Sequence, residues 1–399
     1  MKKLPATSFC TLDSAEACAI LKVSRDTLYA YVSRGMIRTI AHPDDARRSL
    51  YDRRDIATLV GRKSRGRSRR SVAESTINWG EPVLRSDITR IADGRFYYRG
   101  QDAVSLSRTA SLEDILKLIA NVGNPQPFSG FNDLPRLDCV FPLQRILRCM
   151  SIIATSGRPG QPEQDKPEPH WPEPNRPESN REAGSLLLAA TQAVTQSEFD
   201  ETANTGTQKI HERLALAWSS DRQAPDLIRR ALVLCADHEL NASTYATRVA
   251  ASAGASLPAC LVVGLATLSG SLHGGMTPEC KSWIQSIKTS WNEGRPLAIQ
   301  TTPPPGFGHA LYPEGDPRAT ELFIACGSPH EWRQVLDQVR RRTGAHPTLD
   351  FGLSLVEDRL KLPEGAGLGI FAIGRMVGWI AHIFEQRRTG RLIRPRAST

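Results

Sequence analysis

Ala236-Asp237-His238-Glu239-Leu240-Asn241-Ala242-Ser243-Thr244 sets an imidazole between two carboxylates and then passes into small residues. Asn241–Ala253 is rich in Ala, Ser and Thr, a composition that lets helices approach closely. Just upstream, Leu227–Leu234 has the pattern of an amphipathic or buried helix, as do Leu186-Leu187-Leu188 and Leu214–Trp218. From about Ser185 onward helical patterning dominates. Strand signals are few and short, the clearest being Phe96-Tyr97-Tyr98. No G-x-G-x-x-G follows a strand and no Walker loop occurs, which removes support for nucleotide-binding α/β folds. The expected class is mainly α.

Two apolar stretches invite a membrane reading. Ala255–Leu272 carries Pro258 and three serines and falls short of the ~20 apolar residues a span needs, so it reads as buried helix plus turn. Leu368–Phe384 is interrupted by Arg375 and His382. Neither is expected to span a bilayer. No signal peptide is visible, because Leu4-Pro5-Ala6-Thr7-Ser8 is no sustained apolar region. The eight cysteines form no C-x-x-C pair, so zinc spacing is absent. A chain of 399 residues with its own core needs no disulfides, and reduced thiols point to the cytoplasm.

Further histidines stand in distinctive surroundings. His273 lies in Ser269-Gly-Ser-Leu-His-Gly-Gly275 and His309 in Pro305-Gly-Phe-Gly-His309. A lone histidine is most often a satisfied core or surface residue, but flanking glycines let backbone and ligand approach closely. Asp350 stands in Thr348-Leu-Asp-Phe-Gly352, and arginines follow the histidines at Arg318, Arg375 and Arg394. Arg375 sits in an otherwise apolar segment, where a charge must be paired or meet an anionic ligand.

The charge is segregated. Residues 1–72 hold 16 Lys+Arg against 7 Asp+Glu, and the remainder is balanced, so the whole net charge of +9 lies in the first fifth of the chain. Residues 11–34 read as two short helices around a tight turn, with Asp13 or Ser14 capping the first and Ser24 the second. Leu28, Tyr31 and Val32 form the second helix's apolar stripe, and Gly35 stops it. Residues 36–54 suggest a hairpin, and Asp55–Arg62 a closing helix. Arg62–Arg70 has no apolar periodicity and reads as a flexible basic linker. A second break, Gly157–Gly184, holds seven prolines and reads as a disordered or polyproline II insertion.

The N-terminal pattern from Ser14 to Ile37 resembles the winged helix-turn-helix of the MerR-like class. That resemblance implies a second helix in the major groove, with Arg25, Asp26, Thr27 and Tyr29 toward the groove at its N-terminal end. Arg34, Arg47 and Arg48, with the linker, would neutralise phosphates. The module can equally serve as a protein-interaction or dimer arm.

In the body, D-H-E-L-N-A-S-T (237–244), L-H-G-G (272–275), P-G-F-G-H (305–309), G-D-P-R-A (315–319), L-D-F (349–351), F-A-I-G-R (371–375) and R-P-R (394–396) occur in an order that resembles the citrate synthase family. Gly94–Asp102 is similar to that family's Y-R-G-x-D segment. The resemblance covers residues 80–397 and is weak across 120–210. It implies a citrate synthase-like, two-domain helical subunit working as a homodimer, which condenses acetyl-CoA with oxaloacetate and hydrolyses citryl-CoA. Asp350 would take the thioester methyl proton, His273 would hold the enolate oxygen, and His309 would polarise the oxaloacetate carbonyl. His238, Arg318 and Arg375 would bind oxaloacetate, and Arg394 would reach the partner's site. No metal or redox cofactor is implied. Ala310 and Pro313 stand where relatives carry CoA-binding basic residues, Thr277 where Asn is commoner, and Thr348 where Asn is usual.

The expected division is a winged helix-turn-helix at 1–62, a basic linker at 63–79 and a synthase-like body at 80–399. Within the body, a large domain spans 80–273 and about 361–399, a small domain spans about 274–360, and the insertion occupies 157–184. Three readings stand open: a citrate synthase with a DNA-binding appendage, a 2-methylcitrate synthase using propionyl-CoA, and a metabolite-sensing transcriptional regulator with a weakly active or inactive body.

Overall fold

The computed structural model describes residues 11–42, 45–65, 84–122, 137–139, 141–156, 177–195, 208–296 and 299–395. The chain divides into two compact units, Met1–Arg85 and Ser86–Thr399.

The first unit follows the order strand, two helices, two strands, helix. Helix α1 (Ser14–Leu21) begins at a capping box: Asp13 accepts from the Ala15 and Glu16 amides, and Glu16 accepts from the Asp13 amide. Lys22 adopts a left-handed conformation and ends it. Three residues later α2 (Arg25–Ser33) starts, capped by Ser24 Oγ on the Thr27 amide. Strands β2 (Thr39–His42) and β3 (Asp45–Asp52) form an antiparallel hairpin. A third strand not foreseen from the sequence, β1 (Thr11–Leu12), pairs with the other side of β3. Leu12, Ala17, Leu21, Leu28, Ile37, Tyr51, Ile56 and Leu59 make a core separate from that of the body. Arg38 is held by Asp55 and Asp52, which fixes the start of the hairpin to the closing helix α3 (Arg53–Arg65). That helix corrects the expected linker boundary. It runs three residues past Arg62, because Lys and Arg are good helix formers and continue a helix beyond its apolar stripe. Residues 66–79 of the expected linker lie outside the described residues.

The second unit opens with a small antiparallel sheet, β4 (Thr89–Ala92), β5 (Arg95–Tyr98) and β6 (Gln101–Asp102), in that order. Helices follow: α4 (Ala103–Thr109), α5 (Leu112–Ala120), α6 (Pro142–Thr155), α7 (Pro177–Thr195), α8 (Ile210–Trp218), α9 (Ala224–Cys235), α10 (Ala242–Ser252), α11 (Leu257–Leu268), α12 (Met276–Asn292), α13 (Pro317–Ala325), α14 (His330–Thr343), α15 (Leu349–Leu360) and α16 (Ala366–Thr389). The expected insertion is corrected at its end. Residues 177–184 form the first turns of α7, with Ser179 and Asn180 buried. A proline with φ preset near the helical value is tolerated in a helix's first turn, so Pro177 opens α7. Residues 157–176 lie outside the described residues.

Helix α16 organises the body. It is long and apolar enough to cross a membrane, but 89% of its most apolar window is buried inside the protein. It packs on α5, α9, α10 and α11. The contact with α11 is very close: a Cβ on Gly264 would lie 2.8 Å from Thr247 of α10 and from Trp379 of α16. Gly374 and Gly378 bring α16 equally close to the end of α9, where added Cβ atoms would meet the Leu232 and Ala236 carbonyls at 2.6 and 2.2 Å. These three small residues let the long helix lie against the chain leading into Asp237-His238.

Candidate active site

The segment between α9 and α10 carries His238, which is buried, and its Nε2 pairs with Tyr312 Oη at 2.8 Å. The His309 ring stands edge-on to His238 at 5.3 Å and 5.2 Å from the Tyr312 ring. The three rings thus form one cluster. Tyr312 lies three residues after His309, and its role was not foreseen from the sequence, because nothing local marks a tyrosine as a partner for a histidine 74 positions away.

The loop bearing His309 is built on glycine. Gly306 has φ +81°, and a Cβ there would sit 2.5 Å from Cys280 Sγ, so only glycine fits. Gly306 O accepts from the Thr348 amide, and the Gly308 amide donates to His346 O, each at 2.8 Å. Phe307 and Pro347 form the bridge between these contacts. This short ladder lays the His309 loop beside the entry to α15, two residues before Asp350.

Arg318 is buried and clamped by Asp316, with Nε–Oδ1 at 2.9 Å and Nη2–Oδ2 at 2.8 Å. Burial works against its charge, but Asp316 outweighs burial and holds the guanidinium above its ordinary pKa. Asp316 also accepts from the Leu349 amide at 3.0 Å, so one carboxylate fixes both Arg318 and the start of α15. Arg318 lies over the Tyr312 ring at 5.6 Å.

Arg375 is buried on α16. Its Nε donates to Cys235 O at 2.8 Å, and its guanidinium stacks on Phe371 at 4.9 Å. Its Nη1 is buried with no hydrogen-bond partner. The neighbouring Asp237 is fully buried. Burial opposes its charge, but His382, Arg375 and Thr89 together hold its pKa below the ordinary carboxylate range. Thr89 Oγ1 donates to it at 2.6 Å.

His273 lies in the turn between α11 and α12. Its Nε2 meets Ser243 Oγ at 2.8 Å, and Phe371 packs edge-on to its ring at 6.5 Å. Burial, helped by Arg318 or Arg375, lowers His273 and His309 to about 4, so both rings are neutral at pH 7. His238 is pushed well below its ordinary value by burial and the same arginines. Asp350 opens α15. Thr277 Oγ1 donates to its Oδ1 at 2.6 Å, and Thr348 Oγ1 reaches its Oδ2 at 3.3 Å. Burial raises its pKa, opposed by the Thr277 bond and Arg318.

His238, His309 and Arg318 thus gather around Tyr312. Phe371 joins Arg375 to His273, and Thr277 joins the segment after His273 to Asp350. Arg394 is exposed near the end of the described chain and stands outside this cluster, while the Ile393 amide ties the tail to Ser252. Among the described residues no group of three or more His, Cys, Asp or Glu side chains could hold a metal ion.

A family model described as "Citrate synthase, C-terminal domain" matches residues 77–396. The chain belongs to the citrate synthase family. It is 33% identical over 188 residues to "Citrate synthase" of Haloferax volcanii, which covers 42% of this chain and 48% of that one. To "Citrate synthase 2" of Bacillus subtilis it is 32% identical over 185 residues, 43% of this chain and 50% of that one. To "2-methylcitrate synthase" of Shewanella oneidensis it is 31% identical over 186 residues, 42% of this chain and 48% of that one. The chain spans about half the length of the curated relatives it matches. The fold is that of solved citrate synthases. The Thermotoga maritima enzyme superposes with a TM-score of 0.57 at 18% identity, over 80% of this chain and 94% of that one. The Thermoplasma acidophilum enzyme, solved as a ternary complex with carboxymethyl coenzyme A and oxaloacetate, gives 0.56 at 20%, over 79% and 93%.

Proposed function

We propose that the body condenses the thioester methyl of acetyl-CoA with the keto carbon of oxaloacetate and releases citrate and CoA. The observation that carries this reading is Arg375, a buried guanidinium with Nη1 unpartnered and near enough to His238 and Arg318 to act on both electrostatically. A buried cation with a spare donor suits a carboxylate, and two arginines suit a dicarboxylate. Asp350 takes the methyl proton. Neutral His273 donates to the developing enolate oxygen, because its low pKa keeps it an imidazole. The enolate carbon then bonds to the keto carbon while His309 donates to the keto oxygen. Water cleaves the citryl thioester, and the sulfur leaves as CoA thiol. Arg394 completes the neighbouring subunit's site in a homodimer, with 80–273 and 361–399 as one domain and 274–360 as the other.

Thiol release from acetyl-CoA plus oxaloacetate tests the reading, and no release where a control enzyme turns over would reject it. Similarity to a 2-methylcitrate synthase makes propionyl-CoA the second thioester to compare. Ala310 and Pro313 remove two basic side chains expected near CoA, so a KM for acetyl-CoA above that of the control enzyme is anticipated.

For the N-terminal unit we propose a winged helix-turn-helix that contacts DNA and is biased by ligand in the body. The support is its concentrated positive charge and the exposure of Arg25, Tyr29, Arg34 and Arg48 on α2, its end and β3. Arg47 lies on β3 next to Arg48. Thr27 is half-buried and shares a hydrogen bond with the capping Ser24, so its hydroxyl is tied to the helix start.

A further inference from the structure

We propose that Thr277 is a positioning residue for proton abstraction, fixing Asp350 Oδ1 so that Oδ2 becomes the oxygen that receives the proton. This rests on the reading of Asp350 as the base.

A carboxylate has two oxygens and about four lone-pair directions. In this site the two oxygens are unequal. Thr277 Oγ1 donates to Oδ1 at 2.6 Å, within the range of about 2.5–2.7 Å for a strong hydroxyl–carboxylate bond. Thr348 Oγ1 donates to Oδ2 at 3.3 Å, a much longer and weaker bond. Charge on Oδ1 is therefore stabilised and its affinity for a proton reduced, while Oδ2 keeps the greater proton affinity. Thr277 is itself buried and rigidly placed. It lies in the first turn of α12, and its carbonyl accepts from Ser354 Oγ of α15 at 3.3 Å. Its donor and its backbone thus both engage the helix that carries Asp350.

The placement links two parts of the chemistry. His273 lies four residues before Thr277, and the intervening Gly274 and Gly275 are packed on Leu268 O and Ser271 with no room for a Cβ. This stiff turn therefore joins the proposed electrophile to the hydroxyl that orients the proposed base. Cys280, one turn further along α12, is buried and pushed up to about 12 by burial, and so offers no competing anion to the Thr277 hydroxyl at neutral pH.

The test compares wild type, Thr277→Ser, Thr277→Val and Thr277→Ala in the full chain. Aspartate labelled with 13C at the carboxyl, with the Asp350 signal assigned from Asp350→Asn, reports that group's titration whether or not the protein turns over. Removing the hydroxyl in Val and Ala should raise the Asp350 titration midpoint by about one to two pH units, and Ser should restore it. In thiol-release assays the acid limb of kcat/KM should move up by the same amount. The kcat should fall about tenfold, with the oxaloacetate KM unchanged. An Asp350 midpoint unmoved in Val and Ala, or a Ser variant that behaves like Val, would overturn the role of the hydroxyl. Wild type inactive with both thioesters would instead reject the proposed function, while the carboxyl titration would still decide the bond. If Val does not fold, Ala carries the comparison without added branching.

Discussion

Asp350 concentrates the chemistry at the residue scale. Burial raises its pKa, and a general base acts only when ionised, so kcat/KM should fall with acid through a midpoint above the ordinary aspartate value of 3.8. Burial lowers His273 and His309 to about 4, so a loss of rate that sets in above that range belongs to the carboxylate. A pH–rate profile from pH 4 to 9 measures this. Asp350→Asn should lower kcat by about 10²–10⁴-fold with the fold intact by circular dichroism. Arg375→Met should raise the oxaloacetate KM about ten- to hundredfold, the loss of one charge-assisted bond, while the acetyl-CoA KM moves little. Steady-state kinetics with each substrate varied in turn separates the two. Of the candidate site, the histidines, Asp350, Arg318 and Arg375 were legible in the sequence as residue types in unusual company, while Arg394 lies outside the cluster. Tyr312, Ser243, Thr277 and Asp316 were not, because each acts through a contact that backbone geometry alone brings about.

At the scale of elements, close approach of α16 to α9 and α11 is what places Arg375 beside Asp237-His238. Gly378→Ala would push a methyl into the Ala236 carbonyl at 2.2 Å and the Asp237 carboxylate at 2.6 Å. Such overpacking costs about 1–3 kcal/mol. The melting temperature should therefore drop, and oxaloacetate binding should weaken, since the displaced segment carries His238. Differential scanning calorimetry and KM on the same preparation check both. The helical character of these elements was visible in their apolar spacing, and α1 and α2 were visible in their caps. The start of α7 and the end of α3 read as loop for different reasons: the prolines before α7 mask a turn whose Ser179 and Asn180 are buried, and the basic run ending α3 lacks an apolar stripe although Lys and Arg are good helix formers.

Charge segregation acts at the scale of the whole molecule. If the N-terminal unit meets DNA, retention of the full-length chain should weaken steeply with salt, through counterion release. Arg25→Ala or Arg48→Ala should each reduce the log–log salt slope by about 1, and neither should change thiol release. Filter binding across a salt series measures the slope. Arg38 is paired with Asp52 and Asp55, so Arg38→Ala should lower thermal stability more than it lowers the salt slope.

The sequence by itself determined the mainly helical class, the membership carried by its ordered motifs, and the separation of a basic N-terminal part from a neutral body. Those properties reside in spacing, composition and charge, which the chain carries without folding. Only the tertiary structure decided which groups hold the chemical ones: Asp316 clamping Arg318, Tyr312 meeting His238, Ser243 meeting His273, and Thr277 loading one oxygen of Asp350. The Asp316–Arg318 clamp lies within one helix start, but the other three bonds depend on distances of a few ångströms between residues 30 to 74 positions apart, which only tertiary packing sets.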